Sequence, residues 1–357
     1  MTIVEDFCQD ISKYYPEKED FYGWYIAFCV VNGILSLLAI FGNTVIISAL
    51  TRTSCTLSPS KILLLGLAIS DLGVGLAVQP LYITVIVQIL LDNSLVSQCH
   101  SKIAFLVVGT FLVGVSFFTV SAISFDRFLA IDLHLRYRGI VTEKRMTFVL
   151  VVLWGLSAIA AVGYIFMGDI TREAVSTSFN IIFFVTTTIT FVRIYLVVRR
   201  HRLQIRTHQR SIQESYKEFA MEKRKFKSAL SVLYVYIVFT ACYLPYASTM
   251  LVVATTSHGI YLKGIFQLGM TLGFLNSSLN PIIFCWRMRE IRGYVLEILK
   301  RIFTCWKLDQ VTQISDRKLS MVNASYFWRN GSNTELSFPC KKLSHDGRNP
   351  QSIHTSL

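Results

Sequence analysis

The sequence predicts an all-α fold, a bundle of seven helices that cross a membrane. Its 357 residues are 53% hydrophobic and only 16% charged, and the mean hydropathy is +0.49. In soluble globular domains roughly a quarter of the residues are charged. A composition this apolar excludes a disordered chain, a collagen and a secreted disulfide scaffold. The net charge of +13 favours either nucleic-acid binding or a topology signal, depending on where the basic residues lie.

Seven apolar stretches are long enough to cross a bilayer, whose hydrocarbon core of about 30 Å needs about 20 helical residues. A segment in lipid must satisfy its own backbone hydrogen bonds, so each stretch is predicted as a helix. The second stretch carries one charged residue in its interior, Asp71. The stretches are residues 24–51, 62–91, 103–125, 146–168, 174–192, 228–254 and 264–286.

The basic residues predict the orientation, because Lys and Arg concentrate in cytoplasmic loops. They follow the third stretch, fill residues 199–227 after the fifth and recur after the seventh, whereas the N-terminal segment is acidic. We therefore expect a plasma-membrane protein with the N-terminus outside and the C-terminus in the cytoplasm. The charge is then a topology signal, and nucleic-acid binding is disfavoured. The start lacks the basic region of a signal peptide, so the first helix is expected to stay in the mature protein.

The predicted organisation has four parts: an extracellular N-terminus at 1–22, a seven-helix domain at 23–286, an amphipathic eighth helix at 287–306 and a disordered tail at 307–357. The eighth helix alternates apolar and basic residues at helical spacing, which suits contact with lipids at the cytoplasmic interface. Cys305 near its end is equally consistent with palmitoylation and with a free thiol.

An ionisable residue inside a membrane span predicts a functional site. Polar residues on three other helices are candidates to surround Asp71: Asn43, Ser116, the run Asn276-Ser277-Ser278, and Asn280. A carboxylate among hydroxyl and amide oxygens can hold a sodium ion, and we predict such a site at Asp71, Ser116, Asn276 and Asn280. A water-filled hydrogen-bond network without an ion is the alternative. No other cofactor is predicted.

Short motifs follow one another along the seven predicted helices. They are Gly42-Asn43, Leu67-Ala68-x-x-Asp71, Asp126-Arg127-Phe128, Trp154, Cys242-Tyr243-Leu244-Pro245 and Asn280-Pro281-Ile282-Ile283-Phe284. Together they resemble the rhodopsin-like (class A) G-protein-coupled receptors over about residues 24–306. The segment after Asp126 and the run Phe191 to Tyr195 resemble adenosine receptors. The short loop after the fourth helix is similar to that of melanocortin receptors, so the resemblance is to the adenosine and melanocortin branch.

The resemblance implies a receptor that activates a heterotrimeric G protein and is regulated by arrestin-type partners. Asp126 would hold Arg127 at rest, and Arg127 would then receive the G protein, with Arg193 and Lys225 on the same side. Many members carry an acid where this chain has Lys225, so we expect a loosely held resting state and some basal activity. The final residues 355–357 match a PDZ-domain ligand pattern.

The resemblance also implies a conformational switch, and here the chain departs from the family. Tyr243 stands at a usual tryptophan, and Phe191 and Phe284 stand at usual tyrosines. These changes keep open a scavenger or non-signalling modulator with a receptor fold. A seven-span transporter is disfavoured because no internal repeat is visible, and no nucleophile–base pair predicts an enzyme. The implied switch residues are Phe117, Phe239, Tyr243, Pro245, Pro281 and Phe284.

The implied ligand pocket is mostly apolar. Gly109 stands where amine receptors carry an aspartate, Phe274 where opsins carry a lysine, and Met250 where adenosine receptors carry an asparagine. Such a lining favours a lipid or a small neutral molecule, although packing alone would also explain these residues. The predicted pocket residues are Tyr82, Gly109, Thr110, Val113, Tyr246, Met250, Gln267, Met270 and Phe274.

The usual disulfide of the family cannot form, because the loop between the fourth and fifth helices has no cysteine. Cys99 lies about one turn above the usual position on the third helix, and Cys8 is the other cysteine expected outside. Exposed cysteines in an oxidising environment tend to pair, so we expect a Cys8–Cys99 bridge. The alternative is a reduced Cys99 that faces lipid and a mobile Cys8.

Overall fold

The computed structural model describes residue 8 and residues 11–52, 58–133, 136–208, 234–252, 259–288, 291–298 and 300. Residues 1–298 fall into one unit, which is the subject of this section, and residues 299–357 into another. Within the described residues seven helices are long and apolar enough to cross a membrane, and no strand occurs. The predicted seven-helix, all-α bundle is confirmed.

The helices extend beyond most of the apolar stretches that predict them. A four-residue helix, Tyr137–Ile140, lies between the third and fourth, and residues 291–298, which we call α8, are helical within the predicted eighth helix. The seven long helices are α1 Lys18–Arg52, α2 Pro59–Leu90, α3 Leu95–Asp132, α4 Glu143–Phe166, α5 Asp169–His208, α6 Tyr234–Val252 and α7 Ile260–Arg287.

The outward faces of the helices are apolar, and polar side chains lie inside. Leu37, Phe148 and Ile159 are between 69% and 72% exposed, whereas Asn43 and Asp71 are fully buried. A soluble protein does not expose apolar surface on this scale. Lipid would cover it, so the burial pattern fits the membrane assignment derived from hydropathy.

Local signals set several helix ends. The Ser94 hydroxyl caps α3 by accepting a hydrogen bond from the amide of Ser97, and the Thr142 hydroxyl caps α4 by accepting from the amide of Arg145. Such caps satisfy donors that the first helical turn leaves free. Because α3 begins at Leu95, Cys99 is helical, whereas the apolar stretch alone starts the helix at residue 103.

Helix α3 packs against α2, α4 and α5, and α1 packs against α2 and α7. Gly42 of α1 permits a close approach to α7, since a Cβ atom on it would lie 2.8 Å from Pro281 Cγ. A π-helical turn at Val74–Val78 interrupts α2, and the carbonyl of Gly75 there accepts a hydrogen bond from Ser36 on α1 over 2.8 Å. These contacts hold α1, α2 and α7 together around the buried polar residues.

Candidate functional site

The carboxylate of Asp126, near the end of α3, is buried and accepts hydrogen bonds from three side chains. Arg127 Nη2 lies 2.7 Å from Oδ2, Ser60 Oγ donates to the same oxygen over 2.9 Å, and the Tyr137 hydroxyl donates to Oδ1 over 2.5 Å. Ser60 belongs to the first turn of α2, and Tyr137 to the short helix that follows α3. The network joins three segments and holds Arg127 against its neighbour.

Tyr137 is the neutral donor of this network. Its pKa rises from 10.0 to about 12, first because the phenol is partly withdrawn from water and second because it donates to the charged Asp126. The hydroxyl therefore keeps its proton at physiological pH. The Arg127 side chain is 18% exposed, which makes it the member of the ion pair that a partner at this end can reach.

Arg193 and Lys225 are the other predicted coupling residues. Arg193 lies on α5 with an exposed side chain. Lys225, Cys305 and the tail with residues 355–357 lie outside the described part of the chain.

Asp71 is fully buried on α2 and is bonded to α7. Ser277 Oγ donates to Oδ1 over 2.8 Å, and Asn280 Nδ2 donates to Oδ2 over 2.7 Å. Asn43 of α1 donates to the main-chain carbonyl of Ser277 over 3.0 Å. The carboxylate is thus the point at which polar groups of α1, α2 and α7 converge.

In the part of the chain that the structure describes, the side chains that donate to the Asp71 carboxylate do not include Ser116 or Asn276. Ser116 Oγ bonds to Ser70 Oγ over 3.0 Å. Within the described residues, neither the oxygen nor the nitrogen of the buried Asn276 amide has a hydrogen-bond partner, and Asn280 Oδ1 is in the same condition. Buried polar atoms without partners are rare and point to a bound water or ion. Carboxylate, hydroxyl and amide oxygens are the donors that hard cations prefer, so this set fits sodium.

Three of the predicted switch residues meet in the core. The Phe117 ring on α3 lies 4.8 Å from the ring centroids of both Phe239 and Tyr243 on α6, which are 4.5 Å apart. Phe183 of α5 packs edge-on against Phe117 at 4.3 Å. A movement of α6 must therefore rearrange rings on α3 and α5.

The remaining switch residues occupy other parts of α6 and α7. Pro281 lies inside α7 against Gly42, as described above. Phe284, one turn further, is buried in the same apolar cluster as Phe117. The carbonyl of Pro245 accepts a hydrogen bond from Thr249 over 2.6 Å.

Tyr82, Gln267 and Phe274 form the centre of the predicted ligand pocket. The Tyr82 hydroxyl donates to Gln267 Oε1 over 2.9 Å, and its ring centroid lies 5.5 Å from that of Phe274. Met270 packs against the same cluster. The other predicted pocket residues lie on α3 and α6: Gly109, Thr110, Val113, Tyr246 and Met250.

The N-terminal residues 11–16, which we call the strap, cover this centre. The side chains of Ile11 and Tyr15 are each only 7% exposed and belong to the same apolar cluster as Tyr82 and Phe274. Tyr14 contributes its carbonyl, which accepts a hydrogen bond from Gln267 Nε2 over 3.1 Å. The strap therefore packs against residues that the sequence assigns to a ligand pocket.

The structure joins Cys8 to Cys99 in a disulfide that spans 91 residues, with Cα atoms 5.4 Å apart. This is the pair expected from the sequence. Cys8 lies three residues before Ile11, so the bridge fixes the strap to the first turns of α3.

Sequence reasoning missed several of these partners. The predicted site named Asn276, but its neighbour Ser277, one of the polar candidates on the same helix, donates to Asp71. The sequence analysis assigned no role to Ser60 or Tyr137 at Asp126. The sequence analysis also assigned no role to Lys102, which is only 4% exposed and contacts the strap. The signal that could have indicated it is its position as a charged residue directly before the apolar stretch 103–125.

A family model described as 7 transmembrane receptor (rhodopsin family) matches residues 42–284. The adenosine receptor A2b of Mus musculus is 24% identical in an alignment of 313 positions, which covers 76% of this chain and 89% of that receptor. The adenosine receptor A3 of Ovis aries is 22% identical over 309 residues, covering 78% and 92%. The adenosine receptor A3 of Canis lupus familiaris is 26% identical over 313 residues, covering 80% and 95%.

The seven apolar helices, the buried carboxylate of Asp71 and the ion pair at the end of α3 define a multi-pass membrane receptor. The family match identifies it further: the chain belongs to the rhodopsin family of seven-transmembrane receptors. It is therefore a plasma-membrane receptor that signals through heterotrimeric G proteins and not an enzyme, as the sequence predicts. The similarity to adenosine receptors agrees with the branch inferred from the motifs.

Proposed function

We propose that this receptor converts the binding of an extracellular lipid or small neutral molecule into nucleotide exchange on a G protein that docks at Arg127. The observation that carries the coupling step is the hydrogen-bonded Asp126 carboxylate. It holds Arg127 over 2.7 Å, and the arginine is partly exposed. Opening of this contact would let the guanidinium turn to the G protein, while the other two donors stabilise the carboxylate.

The N-terminus lies outside and the C-terminus in the cytoplasm. The short segment between α3 and α4 contains Arg136, Arg138 and, at the start of α4, Lys144 and Arg145, which supports a cytoplasmic location by the distribution of positive charge. An epitope placed before α1 would be stained by antibody on intact cells, whereas staining only after permeabilisation would reverse the topology.

The ligand class is supported by the pocket centre. Tyr82, Gln267 and Phe274 are buried and offer one hydroxyl and one amide among aromatic rings, and such a lining suits a largely apolar ligand with few polar groups. The relatives named above are adenosine receptors, but Met250 offers a thioether where adenosine recognition needs an amide. We therefore propose a ligand other than adenosine.

A sodium ion at Asp71 acts as an allosteric ligand of the resting state. Asp71, Ser277 and Ser116 supply carboxylate and hydroxyl oxygens, and Asn276 and Asn280 supply amide oxygens whose hydrogen-bonding capacity is unused in the described structure. An ion shifts an equilibrium only by its different affinity for the two states, so sodium has to bind more tightly when α2 and α7 are arranged as here.

Nucleotide exchange on purified G-protein α subunits of each family tests the coupling proposal. Wild-type receptor in nanodiscs should accelerate exchange on at least one of them, and Arg127→Ala should abolish that effect with normal surface expression. Arg52→Ala, which removes an exposed arginine at the end of α1, is the matched control and should retain exchange. Equal exchange by the Arg127 and Arg52 variants would contradict the proposal.

A further inference from the structure

The strap occupies the pocket centre as a bound peptide would. Two of its side chains, Ile11 and Tyr15, are almost fully buried in the cluster that contains Tyr82, Phe105 and Phe274. Burial of large apolar and aromatic side chains is the main source of affinity in such contacts. The strap residues between them bring the main chain close to α7.

Three consecutive carbonyl groups of the strap accept hydrogen bonds from side chains of the bundle. Gln267 Nε2 donates to the carbonyl of Tyr14 over 3.1 Å, Lys263 Nζ donates to that of Tyr15 over 3.4 Å, and the Tyr25 hydroxyl donates to that of Pro16 over 2.8 Å. Backbone carbonyls need partners when they are buried. Here α1 and α7 supply those partners, so the site recognises a peptide main chain as well as side chains.

Lys102 binds the strap from α3. Its ammonium lies 3.0 Å from Ser12 Oγ, 3.3 Å from Gln98 Oε1 and 5.1 Å from the Tyr15 ring centroid. The residue is only 4% exposed, and a buried charge is costly unless polar or aromatic groups surround it. Two of the three groups belong to the strap, so Lys102 is stabilised in this position only when the strap is seated.

We propose that residues 11–16 are a tethered ligand of the receptor's own pocket, a peptide-type occupant that holds the resting state. The strap is covalently fixed at both ends, by the Cys8–Cys99 bridge and by its continuity with α1, which gives it a high effective concentration at the site. The Asp126–Arg127 contact is closed while the strap is seated. An external ligand must displace the strap, so its apparent affinity is lowered by the fraction of receptor in which the pocket is open.

The first test compares two tyrosines that differ in burial. Tyr15→Ala removes a buried strap side chain, and Tyr22→Ala removes one that is 54% exposed on α1. We expect basal nucleotide exchange to rise about fivefold to thirtyfold in Tyr15→Ala, because loss of one buried side chain destabilises the seated strap by that factor. Tyr22→Ala should match wild type. Equal basal exchange in the two variants at equal surface expression would overturn the proposal.

Lys263→Met provides a second variant in case Tyr15→Ala does not reach the membrane. It removes the donor to the Tyr15 carbonyl and keeps a side chain of similar length, and it should raise basal exchange in the same direction by a smaller factor. Wild-type basal exchange in this variant would equally overturn the proposal.

The second test does not depend on a G protein, and it separates this inference from the proposed function on which it rests. An acetylated and amidated peptide with the sequence of residues 11–16 is added to purified full-length Tyr15→Ala receptor, or to Lys263→Met receptor in its place. The melting temperature of the receptor should rise with the peptide and stay unchanged with a peptide that carries alanine for its second tyrosine. Wild-type receptor, whose strap is seated, should respond less.

A melting-temperature rise without nucleotide exchange in any variant would support the strap and contradict the coupling through Arg127 that we propose. The same melting temperature with both peptides would refute the strap, whatever the exchange assay gives.

Discussion

Tyr137→Phe tests the resting-state network at the end of α3. The substitution keeps the ring and removes only the hydroxyl that donates to Asp126 Oδ1 over 2.5 Å. Ser60 and Arg127 still donate to the other oxygen, so the carboxylate does not become an unsatisfied buried charge. The perturbation is therefore confined to the hydrogen bonds of one hydroxyl in the segment that follows α3.

The magnitude follows from the chemistry of that bond. A hydrogen bond to a charged group contributes about 1.5–3 kcal/mol. Tyr137 is only partly buried and two donors remain, so the lower end applies, about 1.5 kcal/mol, which is slightly more than a tenfold change in an equilibrium. Because the bond exists in the resting arrangement, its loss should raise basal nucleotide exchange about tenfold.

The pH dependence gives an independent check. The pKa of Tyr137 is raised from 10.0 to about 12, so its contribution to the folded, resting state is fully present below pH 10.0 and is lost as the pH rises through about 12. The ratio of mutant to wild-type exchange should therefore be the same at about pH 6.5 and about pH 8.

The assay is basal nucleotide exchange on purified G protein with receptor in nanodiscs, normalised to receptor content. Tyr261→Phe, which removes the hydroxyl of a tyrosine that is 83% exposed at the start of α7, is the matched control and should match wild type. An unchanged rate in Tyr137→Phe, or equal increases in both variants, would refute the reasoning.

Three further predictions concern the remaining parts of the molecule. Sodium chloride, compared with choline chloride, should raise the melting temperature of wild-type receptor by roughly 3 °C at about ten times the sodium dissociation constant. Asp71→Asn should lose this rise, and an equal rise in both receptors would exclude the site. Cys8→Ser and Cys99→Ser should lower surface expression equally, and the double variant should be no worse, since each removes a cross-link worth about 4.6 kcal/mol in the chain-entropy model. Alkylation of both cysteines without reductant would show that no bridge exists. Gly269→Ala should lower the melting temperature, because its Cβ would lie 2.9 Å from Tyr246 Cα and overpacking costs about 1–3 kcal/mol. Gly109→Ala would make only an ordinary contact at 3.6 Å and should leave the melting temperature unchanged, so equal melting temperatures for the two variants would refute this account.

The helices themselves could be predicted because hydropathy is a property of each residue that needs only to be summed along the chain. Their ends could not be predicted in this way. Helix α3 starts at Leu95 although its first turns contain Gln98 and Lys102, two polar residues that the apolar pattern excludes. The Gln98 side chain is bonded to the nearby carbonyl of Asn93 and that of Lys102 to the strap, and hydropathy summed along the chain registers neither contact.

The residues of the candidate site also include some that the sequence predicts and some that only the folded structure shows. Asp71 stands out in the sequence because a charge inside a span is costly. Which neighbour donates to it depends on the rotation of α7, and one residue step turns a helix by about 100°, enough to place Ser277 at the carboxylate in preference to Asn276. Tyr137 and Ser60 come from separate segments, so only the folded arrangement brings them to Asp126.

One face of α7 connects the two ends of this arrangement. Gln267, Thr271, Phe274, Ser277 and Asn280 follow one another at intervals of three or four residues, which places them on one side of a helix. Gln267 binds the strap and Thr271 an asparagine of α1, Phe274 packs on the tyrosine of α2 at the pocket centre, and the last two bind the buried carboxylate. Since α7 is continuous from Ile260 to Arg287, a rotation that releases the strap also displaces the donors to Asp71. Coupling between two sites requires an element whose equilibrium both of them bias, and here one helix face contacts the strap and supplies the donors to the proposed sodium site.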